Sequence, residues 1–471
     1  MFLVCNILLY FFAANYFVSG RNLNVNLYSV EEQRLFRGFR TKRAVDFENY
    51  CSTSGCCSSR NDECSYHYSW KNTTCYCDNF CDQESEGHID CCPDFWLACK
   101  ERDYPVLQTS TVFPTLTKEG CWNNGINYED NTIIKDNCNY CTCLNNHWVC
   151  TDHVCLVRDD LIEEINKNDY GWKAASYSQF WGLTLYEGIK YRLGTIKPSP
   201  SLLNMNEMTR RVSLDEDFPL FFISSYKWPQ YIHGPLDQKN CAASWAFSTA
   251  SVAADRIAIH SGGRFTSNLS PQHLISCNIQ NQNGCNGGNV DGAWSFLRKR
   301  GLVSYSCYPY VMDKVNEFAA CNMSTLSDEY GKRYANKQCP NSIEDSNNIY
   351  QCSPAYRIPS DEREIMKEIM ENGPVQAVMQ VDEDFFLYKT GIYKHTNVTN
   401  NKPHKYQMSD THSVKIVGWG ALKMSNGKKE KFWIAANSWG NSWGENGYFR
   451  ILRGENESGI ENIIIAAWCH I

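Results

Sequence analysis

The segment Gln-Lys-Asn-Cys-Ala-Ala-Ser-Trp-Ala-Phe, from Gln238 to Phe247, is the most informative part of this 471-residue chain. Three further motifs follow it in order. They are Asn-Gly-Cys-Asn-Gly-Gly (Asn283 to Gly288), Thr-His-Ser-Val-Lys-Ile-Val-Gly-Trp-Gly (Thr411 to Gly420) and Asn-Ser-Trp-Gly-Asn-Ser-Trp-Gly (Asn437 to Gly444). Four motifs in one order, between Gln238 and Gly444, are not a chance match to a family pattern.

Together the four motifs resemble the papain family, whose nucleophile run is Gln-x-x-Cys-x-x-Cys-Trp-Ala-Phe. The resemblance implies an α+β, papain-like two-subdomain fold with a helical half and a β-barrel-like half, preceded here by small disulfide-rich modules. It places Gln238 on the oxyanion donor, His412 on the general base and Asn437 on the residue that orients the base. It also implies a disulfide between Cys241 and Cys285.

The nucleophile position is the one departure, because it holds Ser244 instead of cysteine. Papain-type chemistry uses a thiolate, which a neighbouring imidazolium makes accessible. A hydroxyl is far less acidic, and Asn437 cannot supply the carboxylate that supports the histidine of a serine hydrolase. We therefore expect no catalytic residues, and we expect Gln238, Ser244, His412 and Asn437 to be remnants. Ser244, His412 and Asn437 should persist as a hydrogen-bonded set between the two subdomains.

Within the papain family the chain is similar to cathepsin B. The similarity lies in Trp228-Pro229, in Arg-Lys-Arg-Gly-Leu-Val (Arg298 to Val303) and in a long insertion from Cys307 to Cys352. In cathepsin B that insertion carries paired histidines that bind the C-terminal carboxylate of a substrate and permit dipeptide trimming. The insertion here contains no histidine, so we expect this second activity to be missing too.

The N-terminal stretch and the cysteine content predict an extracellular protein. Met1 to Gly20 is an apolar stretch with small residues at its end, which predicts a secretory signal. Of the 25 cysteines, Cys5 lies in this signal, and the others fall into groups of ten, six and eight. Even groups of this size predict disulfides in an oxidising compartment, although Cys469 could remain unpaired. A net charge of −7 and the lack of a basic block give no support for a nucleic-acid partner.

Two small modules precede the papain-like region. Residues 21–46 form a leader with a basic processing site at Arg43, for which an exposed basic turn is the alternative. Residues 47–103 resemble a somatomedin B domain in their cysteine spacing, from Cys-Tyr-Cys-Asp-Asn-Phe-Cys to Cys-Cys-Pro-Asp. Zinc binding is the competing use of these cysteines, but the histidines lack ligand-like spacing, so we expect no metal. A Pro- and Thr-rich linker covers residues 104–118.

The next two segments lead into the papain-like domain. Residues 119–156 are similar to a truncated von Willebrand C module. Residues 157–216 resemble the cathepsin B propeptide, including a stretch that ends Arg-Leu-Gly-Thr. Leu161, Ile162 and Ile165 should lie on one face of a helix there. Such a segment blocks the cleft of a zymogen, and without catalysis to regulate it need not be removed. The papain-like domain then spans residues 217–471.

Five Asn-x-Ser/Thr sequons predict N-glycosylation in an extracellular protein. They begin at Asn72, Asn268, Asn322, Asn397 and Asn456.

The whole arrangement resembles the tubulointerstitial nephritis antigen family. That resemblance implies a secreted basement-membrane glycoprotein that binds laminin and type IV collagen and supports cell adhesion through integrins. No Arg-Gly-Asp is present; Arg453-Gly454-Glu455 is the nearest tripeptide and falls in a strand-like segment. A weak Ser244-dependent hydrolase, or a cleft that binds proteases, peptides or inhibitors without cutting, are the alternatives. No cofactor is expected.

Overall fold

The computed structural model describes two compact units, one within Met1–Leu116 and one within Thr117–Ile471. In the first unit it describes residues 51–52, 55–58, 61, 63–68, 73–78, 91–92 and 94–100. In the second it describes residues 120–470 except 214, 312–319, 324, 328–332, 336–338, 340–347, 424–426 and 428. The predictions for the signal, the leader with Arg43, the linker up to residue 118 and the sequon at Asn72 lie outside the described residues.

The first unit is held together mainly by cysteines. It contains strands β1 (Ser65–Tyr68) and β2 (Thr73–Tyr76), which pair antiparallel, and helix α1 (Phe95–Lys100). Its small core consists of half-cystines around the buried ring of Phe95. A unit with so little apolar surface depends on such cross-links for stability. The described disulfides are Cys51–Cys77, Cys56–Cys99, Cys57–Cys64 and Cys75–Cys92.

The second unit begins with a cysteine-rich module of two small sheets. Strand β3 (Cys121–Asn123) pairs with β4 (Ile126–Tyr128), and β5 (Ile133–Asp136), β6 (Asn139–Leu144) and β7 (His147–Cys150) form an antiparallel meander. Most of the buried apolar side chains of this module are cysteines. The module's six cysteines form the disulfides Cys121–Cys143, Cys138–Cys155 and Cys141–Cys150.

The propeptide-like segment is folded into the papain-like domain. It contains α2 (Asp159–Lys167), β8 (Trp172–Ala174), α3 (Leu185–Arg192) and α4 (Pro200–Leu203). Leu161 and Ile165 of α2 are buried and Ile162 is half-buried, so the predicted helical face is confirmed. Helix α3 begins with a capping box between Thr184 and Glu187.

The helical half of the papain-like domain is built around one long helix. This helix, α6 (Ser244–His260), is almost entirely buried because alanines line much of its surface and let neighbouring elements approach closely. Two helices pack against it, α7 (Pro271–Cys277) and α8 (Val290–Lys299). The short β9 (Phe222–Ile223) and α5 (Ser224–Lys227) precede it, and α9 (Glu362–Asn372) follows later in the chain.

The other half is a nine-stranded, mostly antiparallel sheet. Its order is β13-β19-β14-β16-β17-β18-β15-β8, and β9 also pairs with β16. The propeptide-like segment therefore contributes an edge strand to the domain's own sheet. The remaining strands are β10 (Thr325–Ser327), β11 (Arg333–Ala335), β12 (Gln351–Cys352), β13 (Tyr356–Ile358), β14 (Val375–Val381), β15 (Tyr388–Tyr393), β16 (Asp410–Lys423), β17 (Lys429–Ala436), β18 (Tyr448–Leu452), β19 (Ile463–Ala466) and β20 (Cys469–His470).

All eight cysteines of the papain-like domain are paired. Cys241 bonds to Cys285, which is the pairing that the family resemblance implied. Cys469 bonds to Cys352 and is therefore not a free thiol, which answers the question that the sequence left open. The other two bridges are Cys277–Cys321 and Cys307–Cys339.

Arg453 lies just beyond the end of β18, and its side chain is buried beside Glu362, so the expectation that it lies in a strand is wrong.

Among the described residues, every helix is too short or too polar to cross a lipid bilayer. The fold class agrees with the α+β, two-half architecture that the motifs predict.

Candidate functional site

The four remnant positions meet where the helical half faces the sheet. Ser244 is the first residue of α6, Gln238 lies in the loop before it, His412 lies on β16 and Asn437 follows β17. All four side chains are buried; Gln238, Ser244 and His412 are 0% exposed and Asn437 is 4% exposed. The structure therefore brings to one place the four positions that the motifs indicated.

On the sheet side, His412 and Asn437 keep the contact expected of a base and its orienting amide. His412 Nε2 lies 2.7 Å from Asn437 Oδ1. Burial lowers the pKa of His412 to about 4, although the hydrogen bond to Asn437 acts in the opposite direction. The imidazole of His412 is therefore neutral at pH 7 in this environment.

The other nitrogens of this pair are left unsatisfied. Neither His412 Nδ1 nor Asn437 Nδ2 has a hydrogen-bond partner among the described residues, although both atoms are buried. His412 instead packs against the Trp439 ring, with 5.2 Å between the ring centroids.

On the helical side, the Ser244 hydroxyl bonds to the propeptide-like segment. Ser244 Oγ lies 2.9 Å from Thr195 Oγ1 and accepts a longer bond of 3.4 Å from the backbone N–H of Ser413. It makes no hydrogen bond to His412. The expectation of one hydrogen-bonded set of Ser244, His412 and Asn437 is therefore only half right. His412 and Asn437 are bonded, but the Ser244 hydroxyl bonds to the propeptide-like segment instead.

The oxyanion donors also form hydrogen bonds to the propeptide-like segment. The side-chain Nε2 of Gln238 donates to the carbonyl oxygen of Leu193 at 3.0 Å, and the backbone N–H of Ser244 donates to the same oxygen at 3.3 Å. In an acyl-transfer enzyme these two donors would stabilise the charged oxygen of the intermediate. Here the Leu193 carbonyl oxygen of the chain itself lies where that charged oxygen would be.

Backbone pairing fixes the same segment along the glycine-rich loop. Gly288 donates its N–H to Gly194 and accepts one from Ile196, each at 2.9 Å. Gly194 has φ +109°, and a Cβ at this position would lie 2.1 Å from the carbonyl carbon of Ala242. Only glycine allows so close an approach of the two backbones.

The segment also covers the indole of Trp439. Trp439 Nε1 donates to the carbonyl of Arg192 at 2.7 Å, and the Gln179 amide donates to the Trp439 carbonyl at 3.1 Å. Leu193, Gly194 and Thr195 are thus site residues to which sequence reasoning assigned no role. The signal was present in the Arg-Leu-Gly-Thr stretch of the propeptide-like segment, but its contacts depend on the fold.

The insertion that begins at Cys307 contributes an aromatic contact to the cleft. The Tyr310 hydroxyl donates to the carbonyl of Gln238 at 2.7 Å, and its ring meets Phe247 edge-on. A phenol cannot pair ionically with a substrate carboxylate as a protonated histidine does. The described contacts of this insertion therefore do not replace the missing histidines.

One group of potential metal ligands stands out in the part of the chain that the structure describes. It consists of Cys51, Cys77 and Cys92, whose sulfur atoms lie close together. All three sulfurs belong to disulfides and cannot act as thiolate ligands.

The described sequons differ in accessibility. Asn322, Asn397 and Asn456 are exposed, whereas Asn268 is half-buried and its Oδ1 is buried. The first three side chains have room for a glycan, and glycosylation at all the sequons remains a prediction.

Comparisons with known proteins agree with the geometry. The papain family cysteine protease model matches residues 224–468. The chain is 57% identical to human tubulointerstitial nephritis antigen over 452 residues, which cover 96% of this chain and 94% of that protein. It is 51% identical to mouse tubulointerstitial nephritis antigen-like over 424 residues, covering 89% and 88% of the two chains.

Solved structures extend the similarity to the segment before the domain. The chain is similar to procathepsin B S9 from Trypanosoma congolense, with 30% identity, a TM-score of 0.56, and coverage of 67% of this chain and 99% of that one. A procathepsin L2 from Tenebrio molitor shares the fold at 24% identity and a TM-score of 0.50, covering 65% and 89%.

Proposed function

This chain belongs to the papain family and, within it, to the tubulointerstitial nephritis antigen family, and from this premise we propose that it is a secreted, catalytically inactive matrix glycoprotein that mediates cell–matrix adhesion. Its papain-like domain serves as a scaffold. The proposal unites a site that lacks the means of peptide cleavage with a multi-module, disulfide-rich architecture.

One observation carries the non-catalytic part of the proposal. The Ser244 hydroxyl bonds to Thr195 and not to His412, and the oxyanion donors hold the Leu193 carbonyl. Nucleophilic attack requires a hydrogen bond from the nucleophile to the base and oxyanion donors that are free to bind the substrate carbonyl. This arrangement provides neither of them.

A Ser244-dependent hydrolase has little support in this geometry. Loss of the nucleophile from a catalytic triad lowers kcat by about 10⁶, or roughly 8 kcal/mol of transition-state stabilisation. The neutral amide of Asn437 also cannot stabilise an imidazolium as a buried carboxylate does. Residual turnover at this level would have no biological role.

Peptide hydrolysis by the purified secreted protein tests this part directly. Wild-type, Ser244→Ala and Ser244→Cys proteins should be compared before and after proteolytic removal of residues 157–216. We expect no turnover by the wild-type protein under either condition. Turnover that disappears in Ser244→Ala would overturn the proposal and make Gln238, His412 and Asn437 working parts of an enzyme.

The adhesive part of the proposal rests on family membership and on the extracellular character of the chain. By that resemblance the partners are laminin, type IV collagen and integrins in the basement membrane. Arg453 does not supply an integrin contact, because its side chain is only 6% exposed and lies beside Glu362. The adhesive residues must therefore lie elsewhere.

Binding of the full-length protein to immobilised laminin and type IV collagen tests adhesion, together with integrin-blocked cell attachment. We expect saturable binding that reduction of the disulfides abolishes, since the N-terminal modules depend on their cross-links. Equal binding of the native and reduced proteins, or no binding at physiological salt, would contradict it.

The alternative of a cleft that captures peptides, proteases or inhibitors is not favoured. A ligand would have to displace the segment that already pairs with Gly288 and with Gln238. Calorimetry with a cleft-directed peptide should show no binding to the intact protein.

A further inference from the structure

We propose that residues 157–216 are a permanent internal ligand of the cleft, and that Ser244 is a positioning residue whose hydroxyl fastens this ligand. The inference rests on the non-catalytic function proposed above. It assigns a positive role to the serine that replaces the nucleophile, instead of treating it only as a loss.

The first argument is a closed circuit of buried hydroxyls. Thr195 donates to Ser413 Oγ at 2.8 Å, and Ser248 donates to the Ser244 carbonyl at 2.6 Å. Ser248 and Ser413 are bonded to each other at 2.8 Å, as Ser244 and Thr195 are at 2.9 Å. Each hydroxyl has a single proton. Ser244 must therefore donate to Thr195, and Ser413 must donate to Ser248.

This circuit explains why a hydroxyl suits position 244. All four hydroxyl residues are at most 5% exposed, so a missing donor would leave a buried acceptor unsatisfied. A thiol is a larger and weaker donor and would bond poorly to Thr195. The one proton that Ser244 could lose during catalysis is thus used to hold the segment.

Further contacts hold the segment around the hydrogen bond between Ser244 and Thr195. The carbonyl of Thr195 accepts from the Thr411 hydroxyl, and the carbonyl of Arg192 accepts from Trp439 Nε1. Further along, Trp172 of β8 is 2% exposed, and its Nε1 donates to the Lys394 carbonyl at 2.9 Å. Removal of the segment would expose this packing and remove a strand from the sheet.

The second argument concerns the junction with the domain, where a zymogen would be cut. Arg210 bonds to the carboxylate of Glu368, which is 0% exposed and also accepts from Arg256 at 2.8 Å and from the Tyr356 hydroxyl at 2.7 Å. Without Arg210, this buried carboxylate would lose one of its two cationic partners.

Neighbouring contacts continue the junction along α9. Lys367 pairs with Glu216 at 2.9 Å, and the Arg363 guanidinium donates to the backbone carbonyls of Ser213 and Glu216. The chain is therefore tied down on both sides of position 214, up to the start of the papain-like domain.

The anchor at Arg210 should persist in acid. Burial acts to raise the pKa of Glu368, but Arg256, the Tyr356 hydroxyl and Arg210 outweigh it and hold that pKa below its usual value. A carboxyl with a depressed folded pKa stabilises the folded state at all pH values above its unfolded pKa. At pH 5 the carboxylate remains charged, so mild acid should not release the segment.

The test is to cut the chain between the propeptide-like segment and the papain-like domain, at a point that no described disulfide spans. Each described disulfide lies entirely before or entirely after Asp215. A recognition sequence for a specific protease, inserted after the exposed Asp215, allows the full-length secreted protein to be cut there. Native size-exclusion chromatography then shows whether the N-terminal fragment stays bound.

We expect the wild-type fragment to remain bound at pH 7 and at pH 5. Thr195→Val and Arg210→Ala should each increase its dissociation rate at least about tenfold, which is the effect of roughly 1.4 kcal/mol. Thr195→Ser keeps the hydroxyl and should behave like the wild type. The exposed neighbour Arg211→Ala is the matched charge control and should change the rate less than about twofold.

Two results would overturn the inference. One is separation of the wild-type fragment after cutting, and the other is a secreted protein whose N-terminus lies near Asp217. Both readouts remain informative if a point variant fails to fold, because neither of them depends on a substitution in the cleft or at the junction. Hydrolysis measured on the separated domain would decide the proposed function independently.

Discussion

The two sides of the cleft differ in how well their polar groups are satisfied. On the helical side, the hydroxyl of Ser244 and the amide nitrogen of Gln238 both bond to the propeptide-like segment. On the sheet side, His412 and Asn437 bond to each other, but each keeps a buried nitrogen without a partner among the described residues.

This difference indicates that the two sides serve different purposes. An unsatisfied buried polar group costs roughly 1–3 kcal/mol, so the sheet side retains a feature that does not favour stability. On the helical side, the Ser244 hydroxyl and the Gln238 amide nitrogen do have partners, and these partners belong to the propeptide-like segment. In this structure one side of the cleft is therefore a contact surface for the propeptide-like segment, and the other side keeps a buried pair with unsatisfied nitrogens.

The largest expected effect comes from breaking the close approach on the helical side. Gly194→Ala should lower the free energy of unfolding by more than about 3 kcal/mol, because its Cβ would overlap the backbone of Ala242 and its φ of +109° disfavours any side chain. Urea unfolding followed by tryptophan fluorescence measures this change.

Gly262→Ala is the control for that substitution. Gly262 also has a positive φ, +64°, but a Cβ there would meet open space. Its cost should be about 1 kcal/mol. Equal losses in the two variants would mean that the segment does not press against Ala242.

A smaller effect should separate the sheet side by its response to pH. The pKa of His412 in the folded protein is about 4, below the usual value of 6.5. Between these two pH values the unfolded chain binds a proton at this residue and the folded protein does not. Stability should therefore fall as pH drops from about 6.5 to 4. His412→Gln should remove about 3 kcal/mol of that loss.

Urea titrations at pH 7 and pH 4 measure this contribution. His273, whose pKa burial also lowers to about 4, continues to respond to acid and serves as the internal reference. His395 has the opposite sign, because burial acts to lower its pKa but Asp384 and Asp382 raise it to about 9. Its stabilisation is complete below pH 6.5 and is lost as the pH rises toward 9. An unchanged acid loss in His412→Gln would contradict the prediction.

The smallest difference should appear when both partners of a polar pair are replaced together. His412→Leu combined with Asn437→Leu removes the unsatisfied nitrogens as well as the bond, so stability at pH 7 should stay within about 1 kcal/mol. Thr195→Val combined with Ser244→Ala breaks the hydroxyl circuit and leaves Ser413 without its donor. That variant should lose about 2 kcal/mol. If the first pair costs more than the second, the assignment of the two sides is reversed.

Much of the fold was predictable from sequence because the four motifs are local and retain their order. The helical face of Leu161 and Ile165 also followed from spacing alone. The bonding of the serine did not follow, since Thr195 and Ser413 lie 49 and 169 residues away from Ser244. Contacts at such separations depend on how whole elements pack, and no local pattern records them.

By itself, the sequence determined which residue types occupy the positions that matter for the family's chemistry. A serine replaces the thiol, an insertion lacks histidines, and even cysteine groups predict complete pairing, because these properties belong to residue types. Only the tertiary structure decided what occupies the cleft. It brings the Leu193 carbonyl to the oxyanion donors and the Thr195 hydroxyl to Ser244, because donors and acceptors that are far apart in the sequence meet only when whole elements have packed.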